Sequence, residues 1–524
     1  MIARLAAGLA AAVEGASASP SAARGRRLLW LAFVVLALFR LAFATVLPIT
    51  GDEGYFVLWG DHPAGGYYDH PPMVGWWLAA LLPVSRAEWF LRLPALLLPL
   101  VLAWAAWRLA RPHGPAAARW AALLVLWQPV NVWHVLITTD TPVILFSMLS
   151  ALAYLLSLQS PSPGRRLAGQ ALAGLLLGLA FLGKYFAALL GFAYLAHLLF
   201  VRRDAGRWTG FLLLLLAALP APLYNLWWNS GQCWVNILFN FLNRNAAAGF
   251  DWQNPALYLV SLAYLATPWL LWSLWRARGE IAALAARSGD VRALYWLAGV
   301  PLGLFALMSL WRPVGLHWLV SFIPLLAVLA ALALKAATLA RLVAASMLFG
   351  VLHIVVFTVA LALPLQTWKD TRLAEGIALR VLAPQLVAQL QPGPALLAME
   401  SFSSAAFLAY ASGRPVAVFG DGSFYARQDD FITDWRAQDG RDVLILRTRP
   451  GRAEDYLPFF RRVEFAEIVV DGVRFQRIYG HGFDYARYHD MVLGRVRDRF
   501  YRIPAWLPQR ACLFTERYFP EASR

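Results

Sequence analysis

Residues 28–61 read LLWLAFVVLALFRLAFATVLPITGDEGYFVLWGD. The stretch 28–48 is an apolar run with a single charge, Arg40. Its length matches the ~20 residues a helix needs to cross a ~30 Å hydrocarbon core. The run then opens directly into Thr50, Gly51, Asp52 and Glu53. Ionisable groups at such a mouth are costly unless they face a cavity or a partner. This junction sets the class as a polytopic helical membrane protein and marks the region where its chemistry is expected.

The rest of the chain repeats the pattern. Of 524 residues, 60% are hydrophobic and only 15% charged, against about 25% charged in soluble proteins. Candidate spans are 28–48, 89–109, 116–134, 142–158, 168–183, 186–201, 208–228, 255–275, 293–310, 316–334 and 342–363. Eleven spans alternating from a cytoplasmic N-terminus put 18 Lys and Arg in inside segments. Only five, Arg86, Arg92, Lys184, Arg244 and Arg312, fall in outside loops. The net charge of +16 is thus explained by the positive-inside rule, and nucleic acid is not expected as a partner. The 168–201 split carries most weight, because merging those two spans would invert everything downstream. Arg40 is expected to face the bundle interior or to snorkel outward. Twenty-four Trp and 18 Tyr suit interfacial belts.

Residues 1–27 mix Ala with Glu14 and end in ARGRR; they lack the apolar core of a signal peptide and read as a cytoplasmic tail. Residues 28–364 form the transmembrane domain, with a first external loop over 49–88. Within that loop, PPMVGWWLAALLP (71–83) is too short to span and reads as an interfacial helix. From 365 to 524 the texture changes. GIALRVLAPQLVAQL has helical periodicity, whereas ALLAME, VAVFG and DVLILRT are short apolar runs of strand type. Two β-rich runs flank Asp471-Gly472, a hairpin signal. An extracytoplasmic α/β domain is expected there. Two cysteines, Cys233 and Cys512, give neither a disulfide framework nor a metal motif.

On the outer side, three acids stand out: Asp52 and Glu53 in TGDEGYF, and Asp140 in TTDTP. Each has a structural alternative. Thr50 or Asp52 can cap a short helix, and Asp140 can cap one that has Pro142 in its first turn. Lone cations, Lys184 in FLGKYF and Arg312 in LWRPVG, run against the inside bias, unless they snorkel to lipid headgroups. Carboxylates with isolated cations around an apolar cleft suit an amphiphilic phosphate substrate, with a carboxylate as base. His70 in YYDHPP fits either this group or a structural role. There is no P-loop, HExxH, CxxC or GxSxG.

The stretch GDEGYFVLWGDHPAGGYYDHPPMVGWW, with ITTDTPVILFSMLSALAYLL and GLLLGLAFLGKYFAALLGFAYL, resembles the GT-C superfamily. The resemblance covers about 28–335 and is to the bacterial branch related to protein O-mannosyltransferases and lipid A aminoarabinose transferases. It implies an inner-membrane glycosyltransferase with a polyprenyl-phosphate sugar as donor and an acceptor that is a lipid such as lipid A, a polysaccharide or a protein. It also implies an outer-face active site and inversion at the anomeric carbon. By the same resemblance Asp52 is the general base, Glu53 its support and Asp140 a second functional acid. Lys184, Arg312 and His70 are the donor-phosphate ligands. One position departs from the aminoarabinose branch: its acid followed by Lys is here Asp69-His70, a titratable cation in place of a permanent one. Asp69 supports the site or, with Asp52 and Asp140, holds a divalent cation; no cofactor is required. The competing class is a transporter or flippase of lipid-linked sugars, which would place charges at mid-membrane on broken helices, often in inverted repeats. A further alternative is an inactive subunit that retains the fold.

Overall fold

The computed structural model describes residues 2–14, 20–245, 249–368, 374–390, 393–508 and 510–520. It divides into two compact units. One comprises Met1–Val46, Trp89–Leu223 and Ala248–Ala362; the other comprises Leu47–Glu88, Tyr224–Ala247 and Leu363–Arg524. The first external loop therefore clusters with the C-terminal region rather than with the helices it connects.

The first unit is helical, with helices at all eleven expected positions. Among the described residues of the whole chain, six helices are long and apolar enough to cross a membrane: Pro20–Val46, Glu88–His113, Asp140–Gln159, Arg207–Ser230, Gly289–Met308 and Ala336–Ala362. A seventh span arises if Gln253–Ala266 and Pro268–Arg276 count as one, bent by 92°. The bend falls at Thr267, which takes a positive φ of 69° immediately before Pro268; this is an uncommon backbone for a β-branched residue. Pro115–Leu126, Pro163–Phe181, Tyr185–Phe200 and Ile323–Ala333 occupy the remaining positions. The 168–201 region is two helices, broken at Leu182–Lys184.

Packing in this unit is inside-out relative to a soluble protein. Trp30, Leu31, Leu38, Leu212 and Val355 are exposed, as lipid-facing side chains must be. Small residues let backbones approach. A Cβ on Gly174 would lie 2.0 Å from Leu214 O, and one on Gly178 would lie 2.8 Å from Ala218 O, a small-xxx-small contact. Arg40 faces the interior at 5% exposure. It donates to Asn131 O (2.6 Å) and Ala95 O (2.8 Å). Such carbonyls satisfy a buried guanidinium that has no carboxylate partner among the described residues.

The N-terminus departs from the expected tail. Ile2–Glu14 is a helix that buries Ala6, Leu9, Ala12 and Val13, and the first span starts at Pro20. Glu14 Oε1 accepts from Trp120 Nε1 (3.1 Å). The run of Ala and Gly hid the Leu/Val spacing of this short amphipathic helix.

The second unit contains a five-stranded sheet in the order β2-β1-β3-β5-β4, with β1 Leu396–Met399, β2 Val416–Val418, β3 Val443–Arg447, β4 Phe460–Val470 and β5 Val473–Phe483. β1 pairs in parallel with β2 and β3; β5 pairs antiparallel with β3 and β4. Asp471 (φ 47°) and Gly472 (φ 79°) close the β4–β5 hairpin in the left-handed conformations a two-residue primed turn requires. Tyr68, Val235 and Phe239 share one apolar core with Phe419, Tyr456 and Ile478, which explains why loop and domain form one unit. Cys233 and Cys512, which carried no framework in sequence, are joined in a disulfide across 279 residues.

Candidate active site

The seven residues singled out in sequence divide between the two units. Asp52, Glu53, Asp69 and His70 fall in the second, and Asp140, Lys184 and Arg312 in the first.

In the second unit, Asp52 sits in the first turn of the Gly51–Asp61 helix. Thr50, not Asp52, is its N-cap. Thr50 Oγ1 accepts from Glu53 N (3.2 Å), and Glu53 Oε2 accepts from Thr50 N (2.9 Å). Glu53, 1% exposed, therefore closes a capping box. These two bonds are those of helix initiation, whereas the Asp52 carboxylate is not spent on capping. The helix lies against Phe402–Ser412 through two glycines. A Cβ on Gly51 would meet Ser403 Oγ at 1.9 Å, and one on Gly54 would meet Phe407 N at 3.1 Å. That close approach fixes where Asp52 projects.

Asp52 is solvent-accessible at its surface yet closely surrounded. Burial raises its pKa, and the charge of Asp69 raises it further. Glu53 adds a smaller push in the same direction, while Arg380 and His70 oppose the rise. A carboxylate held above its usual range is better matched to accepting a proton near neutral pH. Arg380, in the helix Ala374–Leu390, was not identified in sequence; its only signal is a lone cation in an otherwise apolar helical pattern.

Asp69 and His70 lie in a clamped turn. Tyr67 N–H donates to His70 O (2.9 Å). Asn236 Nδ2 donates to Tyr67 O (2.9 Å), Asn240 Nδ2 to Asp69 O (3.0 Å), and Tyr68 N to Gln428 Oε1 (2.9 Å). Tyr67 also stacks on Trp59 with ring centroids 4.3 Å apart. Within this frame His70 Nδ1 lies 2.9 Å from Asp69 Oδ2, and Tyr55 Oη donates to Asp69 Oδ1 (3.4 Å). Burial, then the Asp69 charge, keeps the Tyr55 phenol well above its usual range, so it stays a neutral donor. Asn236, Asn240, Gln428 and Tyr55 were all missed in sequence, because their roles exist only through tertiary contacts.

In the first unit, Asp140 is the first residue of the helix Asp140–Gln159. Thr139 is the N-cap and makes no side-chain cap bond, so Asp140 does not serve as the cap. Lys184 Nζ donates to Asp140 Oδ2 at 2.7 Å, with both side chains nearly buried. The break after Phe181 makes this possible. A Cβ on Gly183 would lie 2.6 Å from Val143 Cγ2 and 3.2 Å from Val143 N, so glycine lets the broken segment close onto the start of the Asp140–Gln159 helix. His317, not identified in sequence, reaches Asp140 Oδ2 at 3.9 Å from an exposed position. Arg312 occupies the turn before it, half-buried. Among the described residues no group of three or more His, Cys, Asp or Glu is placed to hold a metal ion.

Residues 69–228 match the dolichyl-phosphate-mannose-protein mannosyltransferase family. Over 184 residues the chain is 32% identical to the lipid A galacturonosyltransferase RgtD of Rhizobium johnstonii, a stretch that is 34% of this chain and 38% of RgtD. The match thus spans little more than a third of that curated relative. Two structures of ArnT from Cupriavidus metallidurans, one bound to undecaprenyl phosphate and one apo, align with TM-scores of 0.62 and 0.61. They cover 86% and 87% of this chain and 98% of ArnT, at 17% identity. At that identity the likeness is one of fold. The chain has the fold of ArnT and resembles the GT-C glycosyltransferases that modify lipid A.

Proposed function

We propose that this protein transfers a sugar from a polyprenyl-phosphate donor to a hydroxyl of an acceptor, a lipid of the lipid A type, on the outer face of the membrane. The observation that carries the reading is Asp52: an uncapped carboxylate at a fixed helix start, with its pKa raised by burial and by Asp69. In the reaction, the acceptor hydroxyl gives its proton to Asp52 as its oxygen attacks the anomeric carbon. The bond from that carbon to the phosphate oxygen breaks, and polyprenyl phosphate leaves. A single displacement inverts the configuration. Lys184 and Arg312 bind donor phosphate, with Asp140 holding Lys184 in place, and His70, 2.9 Å from Asp69, adds a third phosphate ligand. Support comes from the family match over 69–228 and from the names of the relatives, one a lipid A galacturonosyltransferase and one solved with undecaprenyl phosphate. Mass spectrometry of lipid A and surface glycans from cells with and without the gene tests the reading. One glycosyl substituent should disappear, and identical spectra would refute it.

The Cys233–Cys512 disulfide supports an outer location, since such bonds persist in oxidising compartments. In protein from intact membranes, denatured without reductant, neither cysteine should react with a maleimide; both should after reduction. A reporter active only outside the cytoplasm, fused after Arg524, should work. Free thiols together with activity only of a cytoplasmic reporter would contradict the orientation.

The base must be deprotonated, so activity should fall as pH drops through the pKa of Asp52. Arg380 lowers that pKa, so Arg380→Gln should move the acidic limb of the rate profile to higher pH. Asp69 raises it, so Asp69→Asn should move the limb to lower pH. Coincident limbs in wild type and both variants would remove Asp52 as the titrating group.

A further inference from the structure

The second unit holds a cavity of about 350 Å³ that the sugar-transfer chemistry above does not use. His62, Trp228, Gln232, Gln428, Phe431 and Ile432 line it, with Ala64. Its size is at the lower end of small-molecule sites, and its wall has the usual make-up of apolar and aromatic faces with a few placed polar groups. Trp228 packs against two glycines. Gly65 and Gly66 lie so close that a Cβ on either would come within 2.5 or 2.6 Å of its indole ring. Any side chain in the Gly65-Gly66 pair would displace that wall.

The polar groups point to a ligand class. They are amides and one imidazole, and none of the seven lining residues is Lys, Arg, Asp or Glu. Gln428 Oε1 is occupied by Tyr68 N. Its amide N–H groups, the Gln232 side-chain amide and the His62 ring make no hydrogen bond among the described residues. Amides both donate and accept, as sugar hydroxyls require, and an indole face suits the C–H face of a pyranose. A phosphate or carboxylate would find no fixed cation. The cavity is also connected to the Asp69 turn. Gln428 N–H donates to Tyr55 Oη (3.2 Å), and Tyr55 Oη donates to Asp69 Oδ1 (3.4 Å).

We propose that this cavity is a saccharide subsite that seats an uncharged sugar ring of the acceptor. Its assignment to the acceptor rests on the transferase reading; the binding of a sugar does not. The test uses the purified full-length chain in detergent and saturation-transfer NMR with millimolar methyl glucoside, galactoside, mannoside and N-acetylglucosaminide. At least one should bind saturably. Gln232→Ala should weaken it about tenfold, the loss of one to two hydrogen bonds, and Ile432→Trp should abolish binding by filling the space, with both variants keeping the wild-type unfolding temperature. In turnover, both should raise the KM for acceptor and leave donor KM unchanged. No binding by any of the four, or equal binding by the variants, overturns the subsite. Sugar transfer with an unchanged acceptor KM in both variants also overturns it and leaves the transferase standing. Variant-sensitive binding without transfer from any polyprenyl donor overturns the acceptor role and the transferase together, while the saccharide site stands.

Discussion

Asp52→Asn is expected to lower sugar transfer by about 10²–10⁴-fold, the usual cost of losing a general base, while leaving the protein folded. The two effects separate because of the capping box. Thr50 and Glu53 satisfy the orphan amides at the start of the Gly51–Asp61 helix, so the Asp52 carboxylate is not needed for the helix to begin. Asn matches Asp in size and sits in the same crowded position, but it cannot take a proton. Thr50→Ala should behave in the opposite way, losing about 1 kcal/mol of stability with the chemistry retained in the protein that remains folded. Initial rates and thermal unfolding of both variants check the assignment. Near-normal transfer by Asp52→Asn would mean another group is the base.

Lys184→Met is expected to destabilise the first unit by about 3–5 kcal/mol, because it leaves the Asp140 carboxylate buried beside the break at Leu182–Lys184 without its ammonium. His317, at 3.9 Å and exposed, is too distant and too well solvated to replace it. The double variant Lys184→Met with Asp140→Asn should recover most of that loss, since the buried carboxylate is then removed together with its ammonium. It should not recover function: a phosphate deprived of one charged hydrogen bond loses about 1.5–3 kcal/mol, roughly tenfold or more in donor affinity. Unfolding in detergent and a donor-binding titration on the three proteins give the comparison. Full donor affinity in the stable double variant would make the pair structural only.

The features legible in sequence were those set by local pattern. Helices stand at each expected position because each is an apolar run, although among the described residues only six, or seven with the bent pair, are long and apolar enough to cross a membrane. The β4–β5 hairpin was visible because Asp471-Gly472 tolerates the positive φ its turn demands. Asp52 and Asp140 stood out in sequence because each interrupts or borders such a run. The Thr50-x-x-Glu53 spacing was also legible, and it marks Glu53 rather than Asp52 as the acid that closes the capping box. What lay beyond reach depends on contacts across hundreds of residues. Nothing in RQDDF indicates that Gln428 supports the turn at Tyr68, nor in NILFN that Asn236 and Asn240 clamp it. The Cys233–Cys512 bond and the membership of 47–88 in the C-terminal unit are likewise products of folding rather than of spacing. Arg380 belongs with these: a lone cation in an apolar helix acquires meaning only beside Asp52.

Purified protein in proteoliposomes, supplied with a polyprenyl-phosphate-linked radiolabelled sugar and an extracted lipid A acceptor, offers the most direct measurement. The label should pass to the acceptor with inverted configuration, polyprenyl phosphate should appear in equal amount, and both should fail with Asp52→Asn. Intact labelled donor crossing the bilayer without product, or equal product from Asp52→Asn, would contradict the account.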